Sequence, residues 1–174
     1  SMTTISNTVN TNSSPSKLRI TDMFFTDIVG APMHCTLMKI TTNQGLVGLG
    51  EVRDAASRSY AAMLKSRIIG ENPCNIDKIF RRLKQFGGQS RQAGGVCGIE
   101  IALWDLAGKA YGVPVYQLLG GKFRDRVRIY CDTDVRGKHS GSDMGRALKE
   151  RMAMGFTFLK MDLGINQLFG EAGT

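Results

Sequence analysis

No run of apolar residues in this chain is long enough to span a bilayer, which excludes a helical membrane anchor within it. Cysteine is sparse: Cys35, Cys74, Cys97 and Cys131 are widely scattered, with neither a Cys-x-x-Cys pair nor a Cys/His ligand spacing. That scatter argues against a disulfide scaffold and a zinc site and reads as four reduced core thiols. No internal repeat is present. Acidic residues are the scarcer charge, 15 against 23 basic ones, for a formal net charge of +8. A basic balance raises nucleic acid as a partner, and Lys122 to Arg128 is locally basic. Phe123, Asp125 and Val127 interrupt that run, so it reads as one wet face of a strand and not as a phosphate-binding patch. With 42% hydrophobic and 22% charged residues, the composition is that of a cytoplasmic globular protein.

Residues 1–16, rich in Ser, Thr and Asn, have almost nothing to bury and read as a disordered tail, with Ser1-Met2 resembling a cleavage scar. From Lys17 to Asp27 the alternation carried by Leu18, Ile20, Asp22 and Phe24 predicts a strand. Cys35 to Thr42 predicts another, and Asn43-Gln44-Gly45 a turn into a Gly-rich third strand, Leu46 to Glu51. Three consecutive strands make an antiparallel meander. A helix capped by Ser57 follows, with Tyr60, Leu64 and Ile68 on one face and Gly70 as its stop. After Pro73, Asn75 opens a second helix carrying Ile76, Ile79, Phe80 and Leu83, ended by Gly87-Gly88.

Residues 95–121 are the most informative stretch. Val96, Ile99, Leu103, Leu106 and Ala110 recur at three- and four-residue steps, the stripe of a helix packed on a core. Cys97, Ile101, Trp104 and Gly108 fill the other side, so the helix is expected to be buried around most of its circumference. Asp105 and Lys109 stand four apart and read as an intrahelical ion pair, not as catalytic groups. Gly112 and Pro114 end the helix, and Leu118-Leu119-Gly120-Gly121 closes the unit. Beyond it, Val127 to Asp132 reads as a strand, Asp143 to Met154 as a helix stopped by Gly155, and Phe156 to Leu163 as a strand, together one βαβ unit.

The order Cys-Gly-Ile-Glu-x-Ala-Leu-x-Asp-Leu-x-Gly-Lys, four residues, then Pro-Val-x-x-Leu-Leu-Gly resembles the signature of the mandelate racemase and muconate lactonizing enzyme branch of the enolase superfamily. Ile69-Gly70-Glu71-Asn72-Pro73 is similar to a connection common in that family, while Gly95 stands where its members usually carry Ala. The resemblance implies an α+β capping domain over residues 17–121, with a three-stranded antiparallel meander plus helices. Residues 122–174 would then begin a modified (β/α)7β barrel. A complete barrel needs about 250 residues, so the biological protein is expected to be longer. It further implies Mg2+, with acidic ligands expected downstream of Thr174, and a homo-oligomer acting on a small carboxylate.

The residues nearest to chemistry are Lys160 and Asp162. On a strand, Phe156, Phe158, Lys160 and Asp162 share one face, apolar at its start and charged at its end, the layout of a barrel strand with its site at the C-terminal end. The segment resembles the family's Lys-x-Lys motif with Asp162 in place of the second lysine. Lys160 is then expected to act as a fixed cation holding a substrate carboxylate or its enediolate. Asp162 is expected to orient it, with the roles of base and water-mediated metal partner open. Two loops, Asp27 to His34 and Val52 to Ser57, would by resemblance set specificity, with His34, Arg53 and Asp54 as candidate substrate contacts. His139, Tyr130, Asp132 and Asp134 lie near the first barrel strand, where Asp132 shares a face with Arg128 and Tyr130. The implied activity is removal of a proton alpha to a carboxylate with loss of a beta-hydroxide, as in an acid-sugar dehydratase. The alternatives are a racemase, epimerase or cycloisomerase of the same family, and a non-catalytic capping module.

Overall fold

The computed structural model describes residues 14–31, 33–54, 56–87, 93–134, 137 and 140–161. The chain divides into two compact units, Ser1–Lys122 and Phe123–Thr174.

The first unit opens with a 3-10 turn, Pro15–Lys17, followed by β1 (Ile20–Asp27), β2 (Thr36–Thr42) and β3 (Val47–Val52). They pair antiparallel in the order β1-β2-β3, the expected meander. Gly45 adopts φ +79°, and its N–H closes the β2–β3 turn on the Thr42 carbonyl at 3.2 Å, a conformation glycine adopts without strain. Ser14, which composition places in the tail, is tied to the β2–β3 turn. The Ser14 N–H donates to Gln44 Oε1 at 2.8 Å, and Gln44 Nε2 returns a bond to the Ser14 carbonyl at 3.0 Å. Residues 1–13 lie outside the described residues.

The facing of β1 corrects the sequence reading. Leu18 and Ile20 are buried as expected, but the pairing with β2 slips between Ile20 and Asp22, and Met23, not Phe24, takes the next core position. A bulge adds one residue to one strand and so reverses which side chains face inward beyond it. Phe24 ends on the outer face, 47% exposed beneath the ammonium groups of Lys39 and Lys65.

Among the described residues five helices follow: α1 (Arg58–Met63), α2 (Lys65–Ile68), α3 (Ile76–Gly87), α4 (Ala93–Tyr111) and α5 (Val115–Leu118), with α4 lying against β2 and β3 and α2 against β1. Ser57 caps α1 as predicted, its hydroxyl accepting the Tyr60 N–H at 3.1 Å. The single helix expected from Ser57 to Gly70 is broken at Leu64, whose N–H reaches back three residues to the Ala61 carbonyl at 3.1 Å. The tighter turn leaves Ala61, Leu64 and Ile68 all buried. The Asn75 carbonyl accepts the first bond of α3, from Ile79 at 3.1 Å. Gly70 and Glu71 are stapled to the start of β1: the Gly70 N–H donates to the Ile20 carbonyl and the Ile20 N–H to the Glu71 carbonyl, both at 2.9 Å.

Helix α4 is the centre of the unit. Val96, Ile99, Leu103, Leu106 and Ala110 are buried as the periodicity requires. Its backbone approaches β3 through glycines on both sides. A methyl group built on Gly98 would lie 2.7 Å from the Glu51 carbonyl oxygen, and methyls on Gly48 and Gly50 would collide with the carbonyls of Ala102 and Gly98. Gly95, the departure from the family pattern, faces Ala61, whose Cβ would stand 2.8 Å from an added methyl. The expected burial of the opposite side is wrong for two residues. Ile101 is 54% exposed and Cys97 is exposed, while Trp104 is half-buried, because the close packing is confined to the small-residue side. Likewise the four thiols are free but not all core residues: half-buried Cys74 packs against the core, Cys35 and Cys131 are half-buried, and Cys97 is exposed. The Val113 N–H bonds the Gly108 carbonyl at 2.9 Å, and Gly112 at φ +68° ends α4 in a Schellman arrangement.

In the second unit, β4 (Cys131–Thr133), α6 (Gly141–Ala153) and β5 (Leu159–Met161) form a βαβ unit whose strands pair in parallel. Both strands start later than the stretches predicted. Val127, Ile129 and Tyr130 are exposed and belong to no strand, because a two-stranded sheet offers each strand only one neighbour. Helix α6 starts earlier than expected, with Ser140 as cap: its hydroxyl accepts the Asp143 N–H at 3.1 Å. Among the described residues no helix is long and apolar enough to cross a membrane.

Candidate functional site

The two loops singled out in the sequence leave the same end of the meander, because Asp27 pairs with Thr36 and Thr36 with Val52 across the three strands. At that end three side chains converge on the Asp27 carboxylate, two of them as hydrogen-bond donors. The buried Thr36 hydroxyl donates to Oδ1 at 2.5 Å, the Arg58 guanidinium pairs with Oδ2 at 2.8 Å, and His34 Nε2 lies 3.8 Å from Oδ1. The Thr36 hydroxyl above all holds the Asp27 carboxyl below its ordinary value; partial desolvation opposes this, and the charges of Arg58 and His34 reinforce it. Beside it, burial first and then the Glu51 carboxylate push the Cys35 thiol up, which makes it a poor nucleophile.

Of the predicted substrate contacts, His34 is thus part of this cluster, with its side chain more than half exposed. Arg53 and Asp54 follow directly on β3; Arg53 is exposed, Asp54 half-buried, and the Arg53 carbonyl accepts the Ala56 N–H at 2.9 Å. The structure does not pair either with His34. The residues that do bind the loops together, Asp27, Thr36 and Arg58, were not recognised from sequence. The only available signal was a polar residue at each loop boundary, which becomes meaningful once the strand register is known.

In the second unit, Lys160 lies on β5 directly opposite Asp132 on β4, and Lys160 Nζ stands 3.3 Å from Asp132 Oδ1. Exposed Lys160 alternates with half-buried Leu159 and Met161, as period-two facing requires. Asp132 Oδ1 also accepts the Thr133 N–H at 3.1 Å. Among the described residues Asp132 thus supplies a carboxylate beside Lys160, while Arg128, which the sequence placed on the same face as Asp132, turns elsewhere. Arg128 instead donates to the Thr157 carbonyl at 2.6 Å and stacks over Phe158, which also meets Tyr130 edge to face at 5.9 Å. Asp162 and His139 lie outside the described residues. Among the described residues no three His, Cys, Asp or Glu side chains come together to hold a metal ion, so the groups in view do not fit a magnesium centre.

Known proteins agree with this architecture. The family described as mandelate racemase / muconate lactonizing enzyme, N-terminal domain, matches residues 3–120. A D-xylonate dehydratase of Haloferax volcanii is 36% identical over 138 residues, covering 74% of this chain and 33% of the relative. A D-galactonate dehydratase of Verminephrobacter eiseniae is also 36% identical over 138 residues, covering 75% and 35%. A crystal structure of an enolase from Pantoea ananatis with bound D-gluconate and Mg superposes with a TM-score of 0.71 at 27% identity, covering 84% of this chain and 37% of that one. The chain spans about a third of the length of the curated relatives it matches. With the meander, the glycine-packed helix and the parallel βαβ unit in place, the chain belongs to the mandelate racemase/muconate lactonizing enzyme family of the enolase superfamily and carries its N-terminal capping domain.

Proposed function

We propose that the whole protein is a Mg-dependent dehydratase of acid sugars. A base removes the proton alpha to the carboxylate, the C–H electron pair passes into an enediolate, and the beta-hydroxide departs, leaving as water once protonated. The observation that carries the reading is that relatives 36% identical to this chain are named D-xylonate and D-galactonate dehydratases. The magnesium ligands belong, in this reading, to residues outside those described. Lys160 is the fixed cation that meets the substrate carboxylate. Asp132, 3.3 Å away, supports that role by holding the ammonium in place. Asp162 orients Lys160, and His34, Arg53 and Asp54 contribute to substrate selection. The same reading takes the protein as a cytoplasmic homo-oligomer acting on a small acid and not on nucleic acid.

The test is NMR of the full-length protein with D-xylonate, D-galactonate and D-gluconate in D2O with Mg2+. Formation of a 3-deoxy-2-keto acid supports dehydration. Exchange or inversion of the alpha proton with no loss of water would replace it with the racemase reading.

A further inference from the structure

The Asp27 cluster joins elements that are distant in sequence. Asp27 ends β1, Thr36 begins β2 and Arg58 begins α1, so one carboxylate touches both ends of the β1–β2 connection and the far end of the β3–α1 connection. Arg58 Nη2 also reaches toward the Phe25 carbonyl at 3.5 Å. We propose that Asp27 is a positioning residue that clasps the two connections into one unit, so that they meet a substrate together. This rests on the proposed function for its effect on substrate, and on the geometry alone for the clasp.

The clasp has a physical logic. Each connection by itself is a surface segment whose ordering costs conformational entropy. The Thr36 hydroxyl is buried and fixed by β2, so it holds the carboxylate in one orientation and leaves Oδ2 for the Arg58 guanidinium. An aligned carboxylate loses less freedom on pairing than an isolated surface one, so this ion pair constrains more than an exposed pair usually does. Releasing it should loosen both connections at once, because both are tied to the same carboxylate. A substrate that needs both ordered then meets the ordering cost on binding, which appears in KM and not in the chemical step.

The experiment uses the full-length protein with Asp27→Asn and Arg58→Gln, the second a half-exposed side chain whose loss leaves the core intact. Backbone hydrogen exchange by mass spectrometry is read for the two connections, and steady-state kinetics are measured with D-galactonate and D-xylonate. Expected are faster exchange in both connections in each variant with α4 unchanged, and a KM raised about tenfold with kcat falling far less. Arg58→Lys should recover part of both effects. Faster exchange in one connection only, or in neither, overturns the clasp whether or not any acid sugar is turned over. A fall in kcat at unchanged KM overturns the positioning role. Absence of turnover by the unsubstituted protein counts against the proposed function and leaves the exchange result to decide the clasp.

Discussion

Asp105 accepts the backbone N–H of Leu49 at 2.9 Å, so a helix side chain occupies the free hydrogen-bonding edge of the outermost strand. The same carboxylate oxygen pairs with Lys109 Nζ at 2.6 Å, and that ammonium donates to the Val47 carbonyl at 2.7 Å. The expected i,i+4 pair is present, but it is also a two-point fastening of α4 to β3. An exposed edge invites pairing with another chain, and here two of its polar groups are already taken.

Asp105→Ala should therefore cost more than a surface ion pair, about 1–2 kcal/mol, because it leaves the Leu49 N–H and the Lys109 ammonium without their acceptor. Lys109→Met should cost less than about 1 kcal/mol, since water can reach the Val47 carbonyl. Urea denaturation of the two single variants and the double variant gives the coupling directly. Additive losses would show that the fastening does not act as a unit.

Gly98→Ala should destabilise the first unit by about 1–3 kcal/mol despite the roughly 1 kcal/mol gain in helix propensity. The added methyl meets the Glu51 carbonyl oxygen at 2.7 Å, and a strand backbone cannot move aside as a flexible side chain would. Chemical denaturation with a midpoint at or above that of the parent protein would contradict this.

Glu71 gives the first unit a predictable acid response. The Lys78 ammonium at 3.0 Å, and then Arg82 at 2.7 Å, hold its carboxyl below the ordinary value of 4.5. Because the folded value is the depressed one, the contribution is present above the unfolded value and is lost as pH falls through the folded one. Glu71→Gln should lower the melting temperature at neutral pH, and the difference from the parent protein should shrink as pH falls from the ordinary carboxylate range toward the depressed folded value. Melting curves from pH 7 to pH 2.5 check this, and a constant difference across that range would contradict it.

For the chemistry, Lys160→Met in the full-length enzyme should lower kcat/KM by about a hundredfold or more with little change in melting temperature, the scale of one lost electrostatic group. Its side chain is 43% exposed, so removing it opens no core cavity. Asp132→Asn and Asp162→Asn separate the two candidate orienting carboxylates. If either only orients Lys160, its loss should cost about tenfold or less and alpha-proton exchange with D2O should persist. Complete loss of exchange in Asp162→Asn, with substrate still bound, would make Asp162 the base.

Local interactions were legible in the chain itself. The Ser57 cap, the Gly45 turn, the Gly112 stop and the buried stripe from Val96 to Ala110 all follow from neighbours within one or two helical turns. So did the order of elements and, through the spacing around Asp105 and Lys109, the family. The bulge that turns Met23 inward and Phe24 outward was not legible, because it is a property of the β1–β2 pairing and not of β1. The exposure of Cys97 and Ile101 was hidden for a related reason: an apolar residue on a helix does not state which side has a neighbour.

What the sequence by itself determined is therefore the family, the α+β order and the helix stripe, since these rest on short-range periodicity and on a long run of matched positions. The tertiary structure alone decided the partners of the functional candidates. Asp27 meets Arg58 across 31 positions and Lys160 meets Asp132 across 28. Pairs so far apart are set by strand register and by the return path of the chain, and no local pattern records either.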